Sequence, residues 1–558
     1  MSYCHNCGMR VQETDSFCPE CGTKLHQCKQ ESVQLHGYVF TNLRILSAKS
    51  GMSVEMVRSV LDKFILWRGY QGINYLLLDV SDYHSPFTGD KIYSLTAEDG
   101  WSAHQQLLTD RYCYDVDHCG HDVSYLFIIG GHDVIPMPKV GEHCCEREDQ
   151  IDSDLPYGML YGRKTEDMLQ DRTLFQVPQM LHVGRLPLSP KREDVYMELE
   201  TFIDRTITMA QNGLSGISMY GQVDPHWKQV SFAVAGDFVK SGQVVSHSSV
   251  DENDTFDFLV LTPDVVLNRV PGFFDNEATF YYFNMHGSNA PQSPYFYGQA
   301  MDSRCMSPGI SPEELSSTQK SNVVVTEACY GARFIGYGRD GSMLLSSLGN
   351  GRTVLYLGAS RIALGALDTG FRGEESLSHA DLMAKIFMSS LLSGYSAGQA
   401  LFLARRKVLE SDGLCSHASP TTVTEFNLFG DPSLHLYGVN STIRIAHKSM
   451  KESMYCCSIP VRIDAHKVFS SSTICGSLLD QIRLHVDSNF RQIRHTIETH
   501  LYSMYNIRPK SLNSVYRCKS SSDESYSYNF IGENDENVIV ELDRDSNIKK
   551  VLTEKYQK

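Results

Sequence analysis

A histidine and a cysteine each stand where an apolar run stops. TFYYFNMHG ends on His286–Gly287, and NVVVTEACYG passes through Glu327 to Cys329. A thiol becomes a strong nucleophile as the thiolate, and an imidazole beside it can take the proton and later give it to a leaving amine. A glycine directly after the histidine lets the backbone approach a scissile carbonyl, so the Gly287 N–H is a candidate oxyanion donor. The 43 positions from His286 to Cys329 leave room for one crossover between two parallel strands. Both residues would then meet at the carboxyl edge of a sheet, where open α/β folds place their sites. Glu327 lies two residues before Cys329. Side chains alternate along a strand, so Glu327 and Cys329 point to one side, and the acid would line the pocket for the substrate residue before the cut.

A second set of reactive residues opens the chain. CHNCG carries Cys4 and Cys7, and CPECG carries Cys18 and Cys21. Each C-x-x-C pair turns two thiolates toward one cation, and four thiolates close a tetrahedral zinc site with no open position for catalysis. About two dozen residues cannot bury a core of their own, so the metal would supply the folding energy. The expectation is one structural zinc, in a ribbon over residues 1–28 that serves docking or recognition.

These residues need a frame. From about residue 36 to 438, apolar runs alternate with helical stretches: YLLLDV, YLFIIGG, FDFLVL, TFYYFNM, NVVVTEA and TVLYLGA, with amphipathic patterns at 191–210 and 379–392. Several runs are apolar throughout, as strands buried on both faces must be. The rhythm predicts an α/β parallel-sheet sandwich. After about residue 440 the pattern changes. Val486, Phe490, Ile493, Ile497 and Leu501 predict an amphipathic helix, and SVYRCK, YSYNFIG and NVIVELD read as strands. A small C-terminal α+β module over 450–558 is expected, with SSSDES as an exposed loop.

Composition narrows the function. A net charge of −16, spread along the chain without a long acidic block, disfavours a general nucleic-acid binder and leaves room for one local basic patch. No apolar run is long enough to span a membrane. MSYCHNCGMR is polar and carries metal-type cysteines instead of a secretory signal, so a reducing, cytoplasmic location is expected.

NMHGS followed by EACYG resembles the histidine and A-C-x-G signatures of caspases and the corresponding legumain motifs. A broader resemblance, to the gingipain family, rests on six ordered segments: YLFIIGGHDVIPMP, SDLPYGMLYG, LHVGRLPLSPKRED, HGS, ACYGARF and NLFGDPSLHLY. It implies a caspase-like fold in two subdomains, 36–212 and a catalytic 213–438. It also implies a cysteine endopeptidase with His286 and Cys329 as its dyad, acting on protein or peptide substrates. Clostripain-like and metacaspase-like relatives carry an acid at the position of Glu327 and cut after Arg or Lys, whereas legumain has Glu and cuts after Asn; a basic preference is expected here. The competing reading is an inactive caspase-like scaffold that docks partners through the ribbon and the C-terminal module. Other signals are set aside. GYSAG (394–398) lacks the strand a serine elbow needs, and GYGRDG (336–341) lacks the distal acid of a dinucleotide site. GDPSL reads as a structural turn into the last strand. The Cys and His residues of 113–145 match no familiar metal spacing.

Overall fold

The long apolar runs leave no polar alternate position, so each must be covered on both faces. In the computed structural model they form one sheet with helices on either side. The structure describes residues 34–87, 91–140, 150–160, 179–189, 192–214, 216–246, 259–262, 278–290, 292–301, 304–349, 352–366, 376–412 and 418–438. It also describes four strands between 509 and 554 and two short ones at 2–3 and 10–11.

The ten strands of the main sheet are β1 (Gly37–Thr41), β2 (Tyr75–Asp79), β3 (Tyr125–Ile129), β4 (His182–Leu186), β5 (Met219–Val223), β6 (Leu259–Leu261), β7 (Phe280–Asn284), β8 (Asn322–Thr326), β9 (Thr353–Ala359) and β10 (Phe426–Phe429). Their spatial order is β6-β5-β7-β8-β9-β10-β4-β3-β1-β2. Every neighbouring pair is parallel except β9 and β10. The sheet therefore has two halves of opposite sense. In the second half, β5, β7, β8 and β9 all end at one edge, and Asp224, His286, Cys329 and Ser360 lie just beyond those ends.

Among the described residues the helices are α1 (Leu43–Ser50), α2 (Val54–Tyr70), α3 (Gly100–Cys113), α4 (Arg192–Asn212), α5 (Lys228–Ser246), α6 (Pro312–Ser316), α7 (Met343–Gly349), α8 (His379–Leu392), α9 (Ala397–Asp412) and α10 (Ala418–Glu425). Their starts follow local chemistry: Asn42 and Ser53 accept backbone N–H bonds at the first turns of α1 and α2. α1, α2, α4 and α7 bury Leu46, Phe64, Phe202 and Leu344 in one core, and α5, α8 and α9 bury Val234, Phe387 and Leu401 in the other. The strands between them alternate. Tyr281, Phe283 and Val324 enter the first core; Phe280, Tyr282, Val323 and Val325 enter the second.

Two buried ion pairs brace the first half. Arg185 grips Asp154 through two bonds of 2.7 Å and also donates to the carbonyls of Gly130 and Ile135. Asp431 meets Arg68 at 3.1 Å and accepts from the Tyr75 hydroxyl at 2.7 Å. GDPSL is thus a structural turn, but it follows the last strand of the sheet instead of leading into it. GYSAG joins α8 to α9, and Tyr125 donates to the Ser396 hydroxyl.

Among the described residues no helix is long and apolar enough to cross a membrane. The C-terminal strands, β11 (Pro509–Lys519), β12 (Glu524–Gly532), β13 (Asn537–Asp543) and β14 (Ile548–Glu554), make an antiparallel meander. The helix expected around 486–501 lies outside the described residues, as do Cys4, Cys7, Cys18 and Cys21. Ser2–Tyr3 pairs with Arg10–Val11 on either side of the first C-x-x-C.

Candidate active site

β7 and β8 are adjacent and parallel, with Phe283 opposite Thr326. His286 and Cys329 each lie three residues beyond that pair, so the register sets them level at the sheet edge. The two segments touch through their backbones: a Cβ on Gly287 would lie 1.7 Å from the Cys329 carbonyl oxygen. Only a glycine permits so close an approach. His286 is held in turn by reciprocal backbone bonds with Tyr297, of 2.9 and 2.8 Å.

Beyond β8 the chain turns sharply. Tyr330 takes φ 57, a left-handed conformation rare for a bulky side chain. Its N–H bonds the Arg361 carbonyl at 2.7 Å, and the Tyr356 hydroxyl bonds the Gly331 carbonyl at 2.6 Å. This strained turn lifts Cys329 out of the core, leaving its sulfur half-buried, 3.7 Å from the Ala363 carbonyl.

A third group, not singled out in the sequence, completes the cluster. Asp224 follows β5 and is fully buried. One of its oxygens accepts from the N–H and the ring of His226, both at 2.8 Å, and the other accepts from the N–H of Gln299. That second oxygen also lies 3.8 Å from Nε2 of His286, while Trp227 packs its ring edge-on at 4.6 Å. Burial pushes the His286 pKa down, the Asp224 carboxylate pushes it up, and His226 pushes it down again. The available signal was an acid directly after a strand, in GQVDPH, at the same edge as the histidine.

Glu327 sits differently from the sequence expectation. β8 ends at Thr326, so strand alternation does not extend to Cys329. The Glu327 carboxyl is buried on the α8 side, where it accepts a 2.7 Å bond from Tyr282 and shares a hydrogen bond with Asp381. Burial, then the neighbouring acid, drives its pKa well above the ordinary carboxylate range. Burial lifts Asp381 to about 6. Asp381 also accepts from the Ala366 N–H at 2.6 Å, so the segment 360–366 roofs the acid pair and touches the Cys329 sulfur. The cavity beside Cys329 is walled instead by Ser288, Tyr295, Tyr330, Arg333 and Tyr337.

Elsewhere, Asp115, Cys119 and His121 bring ligand-type atoms within 4.8 Å of one another. Asp115 is already engaged there: Arg111 donates two bonds to its carboxylate, and Tyr38 donates a third. The arrangement is that of an ion pair at the end of α3. His143, Cys144 and Cys145 lie outside the described residues.

Comparison with known proteins places this geometry. Residues 3–25 match a zinc-ribbon domain. No curated protein matches the chain by sequence. Several solved structures resemble it, three of which are the following. One, described as the structure of a protease, is 12% identical with a TM-score of 0.46, covering 72% of this chain and 78% of that one. Another is the Arg specific cysteine proteinase gingipain R, 15% identical at 0.45, covering 73% and 79%. The third is the complex of Porphyromonas gingivalis RgpB pro- and mature domains, 15% identical at 0.44, covering 72% and 79%. Residues 52–437, which carry every strand of the main sheet but the first and the whole cluster at its edge, match peptidase family C25, and over that span of well over half its length the chain belongs to this family of cysteine peptidases.

Proposed function

We propose that the protein is an endopeptidase in which Cys329 is the nucleophile, His286 its base and acid, and Asp224 the group that orients the histidine. The observation that carries this is the backbone contact between Gly287 and Cys329, which joins the two strand ends at one edge. Asp224 faces Nε2 of His286 and the Gln299 side chain also bonds the ring, which together hold the imidazole at the edge it shares with the thiol. The Cys329 thiolate attacks the scissile carbonyl, and the N–H groups of Gly287 and Cys329 are the donors nearest the developing oxyanion. The proton on His286 passes to the departing amine, and water activated by the same imidazole then hydrolyses the thioester.

Cleavage after a basic residue fits the acid pair. Glu327 and Asp381 are two carboxyls in contact, bonded to hydroxyl, amide and each other, and a buried pair of acids is costly without a cation. A substrate guanidinium or ammonium would supply that cation once the segment 360–366 moves aside. At the N-terminus, Cys4, Cys7, Cys18 and Cys21 would hold one structural zinc, and the strand pairing that brackets Cys4 and Cys7 suits a metal-binding hairpin. Such a ribbon would dock protein partners, in a reducing cytoplasm that keeps its thiols free.

The test is a peptide library profiled with the wild type, Cys329→Ala and His286→Ala, alongside a thiol-reactive active-site probe. Each substitution should abolish cleavage with the fold intact, and only Cys329 should label fast. Cleavage by Cys329→Ala at the wild-type rate would remove the assignment, and an inert Cys329 in a folded protein would favour the scaffold reading.

A further inference from the structure

The cavity beside Cys329 carries a charge that the acid pair does not explain. Arg333 follows the strained turn and projects to the wall of this cavity. Its guanidinium lies over the Tyr337 ring at 4.6 Å and the Tyr330 ring at 5.6 Å, which fixes the plane of the group. Its hydrogen bond runs from Nη1 to the Asn289 carbonyl, at 2.8 Å, and no described carboxylate forms an ion pair with it. Asp152 acts on it only through space and is itself surrounded by Lys139, Arg361 and His132. In a chain of net charge −16, a stacked guanidinium with unused donors beside the nucleophile is a ready receptor for a carboxylate, which it can bind through two parallel N–H groups.

The position of the cavity says which part of a substrate would meet it. Its opposite wall, from Ser288 to Phe296, continues directly from His286. The histidine must lie next to the amine it protonates, so the leaving chain runs along this wall. Neither the acid pair nor the segment 360–366 lines this cavity, although Ala363 meets the same sulfur. We propose that Arg333 is a specificity-determining residue that selects an acidic side chain among the first residues after the cut. This rests on the peptidase reading above. The nucleophile then stands between an acidic receptor and a cationic one, and the recognised sequence is polarised: basic before the bond and acidic after it.

The experiment uses the full chain and internally quenched peptides with Arg, Lys or Asn before the cut. In each, Asp or Asn is placed in turn at the first, second and third positions after it. The wild type should cleave one of the Asp peptides with kcat/KM about tenfold above its Asn partner, chiefly through KM, and the advantage should shrink at 0.5 M salt. Arg333→Gln should erase the preference while cleaving the Asn peptide within about threefold of the wild type, and Arg333→Glu should turn the preference toward Lys at that position. Equal cleavage of Asp and Asn peptides at all three positions by the wild type would overturn the proposal and leave the peptidase intact. Equal loss on both peptides in Arg333→Gln would also overturn it, showing that Arg333 only braces Asn289. Failure of the wild type to cut any peptide, with Cys329 inert to the thiol probe, would overturn the peptidase reading and this inference together.

Discussion

Replacing Glu327 by Gln tests the acid pair through the pH dependence of stability. Glu327 and Asp381 are both buried, share a hydrogen bond, and have pKa values raised by burial, Asp381 to about 6 and Glu327 further. The folded pair therefore keeps at least one proton in a range where both acids of the unfolded chain have lost theirs. A state that binds more protons is favoured at low pH, so this contribution is fully present below about pH 4 and is lost as the pH climbs. One retained proton corresponds to about 1.4 kcal/mol per pH unit for as long as the folded pair holds it. The two acids titrate as a unit, so the slope belongs to the pair. Glutamine keeps an oxygen for the Tyr282 hydroxyl and offers an N–H to Asp381, but it carries no proton to lose. Relative to the wild type, Glu327→Gln should gain about 1.4 kcal/mol for each pH unit between 5.5 and 7.5 over which the pair keeps that proton, while differing little near pH 4. Trp67, Trp101 and Trp227 are the chain's three tryptophans and all lie within residues 52–437, so urea unfolding followed by their fluorescence reports on this unit. Other titrating groups cancel in the difference between the two proteins. A difference that stays constant from pH 5.5 to 7.5 would refute the reasoning, since the pair would then hold no extra proton. A variant weakened by several kcal/mol at both pH values would show instead that Glu327 is ionised and strongly bonded.

The other expectations are simpler. Asp224→Asn should lower kcat about 100-fold with KM within about threefold, because the histidine loses its orienting carboxylate and not its substrate contacts. Asp224 raises the His286 pKa, so the limb of the pH–rate profile that reports the imidazolium should move to lower pH in the same variant. Gly287→Ala should abolish activity and slow thiol labelling, since a Cβ there would collide with the backbone of Cys329 itself; wild-type kinetics in that variant would disprove the close approach. Metal analysis of the full chain should find about one zinc, lost in a Cys18→Ser/Cys21→Ser variant that still cuts small peptides. Full zinc retention there would turn attention to Asp115, Cys119 and His121.

Much of this arrangement was legible in the chain, for identifiable reasons. TFYYFNM and NVVVTEA are dominated by apolar residues, so their burial and their parallel pairing follow, and the polar residues at their ends stand out. Four strands of the sheet are not among those long apolar runs. GYVFT, HVGRL and MYGQV carry glycine or polar residues that break the apolar run, and FNLF is four residues long. Missing MYGQV meant missing Asp224, because its significance comes only from the strand that ends in front of it. The end of alternation before Cys329 has a different cause. Alternation holds as far as the ladder holds, and nothing in EACYG announces that the ladder stops at Thr326 or that Tyr330 adopts φ 57. A tyrosine in that conformation is imposed by tertiary contacts from Arg361 and Tyr356, and these are distant in sequence.

Three consecutive neighbours, β5, β7 and β8, supply Asp224, His286 and Cys329, and this adjacency explains how so few residues hold the site. In a parallel ladder the relative height of two strand ends is fixed by register, and a slip by one residue would turn every buried side chain to the wrong face. Phe280, Tyr282, Val323 and Val325 on one face, with Tyr281, Phe283 and Val324 on the other, make such a slip prohibitive, since each face packs against its own core. The cost of misplacing the imidazole relative to the thiol is therefore borne by the sheet, and the loops that follow are free to serve the substrate. That division matches where charge is found: the sheet ends carry Asp224, His286 and Cys329, whereas Arg333 and the roof over Asp381 sit on the segments beyond them. Changes in those segments should alter which peptides are cut, and changes in the strands should alter whether any are.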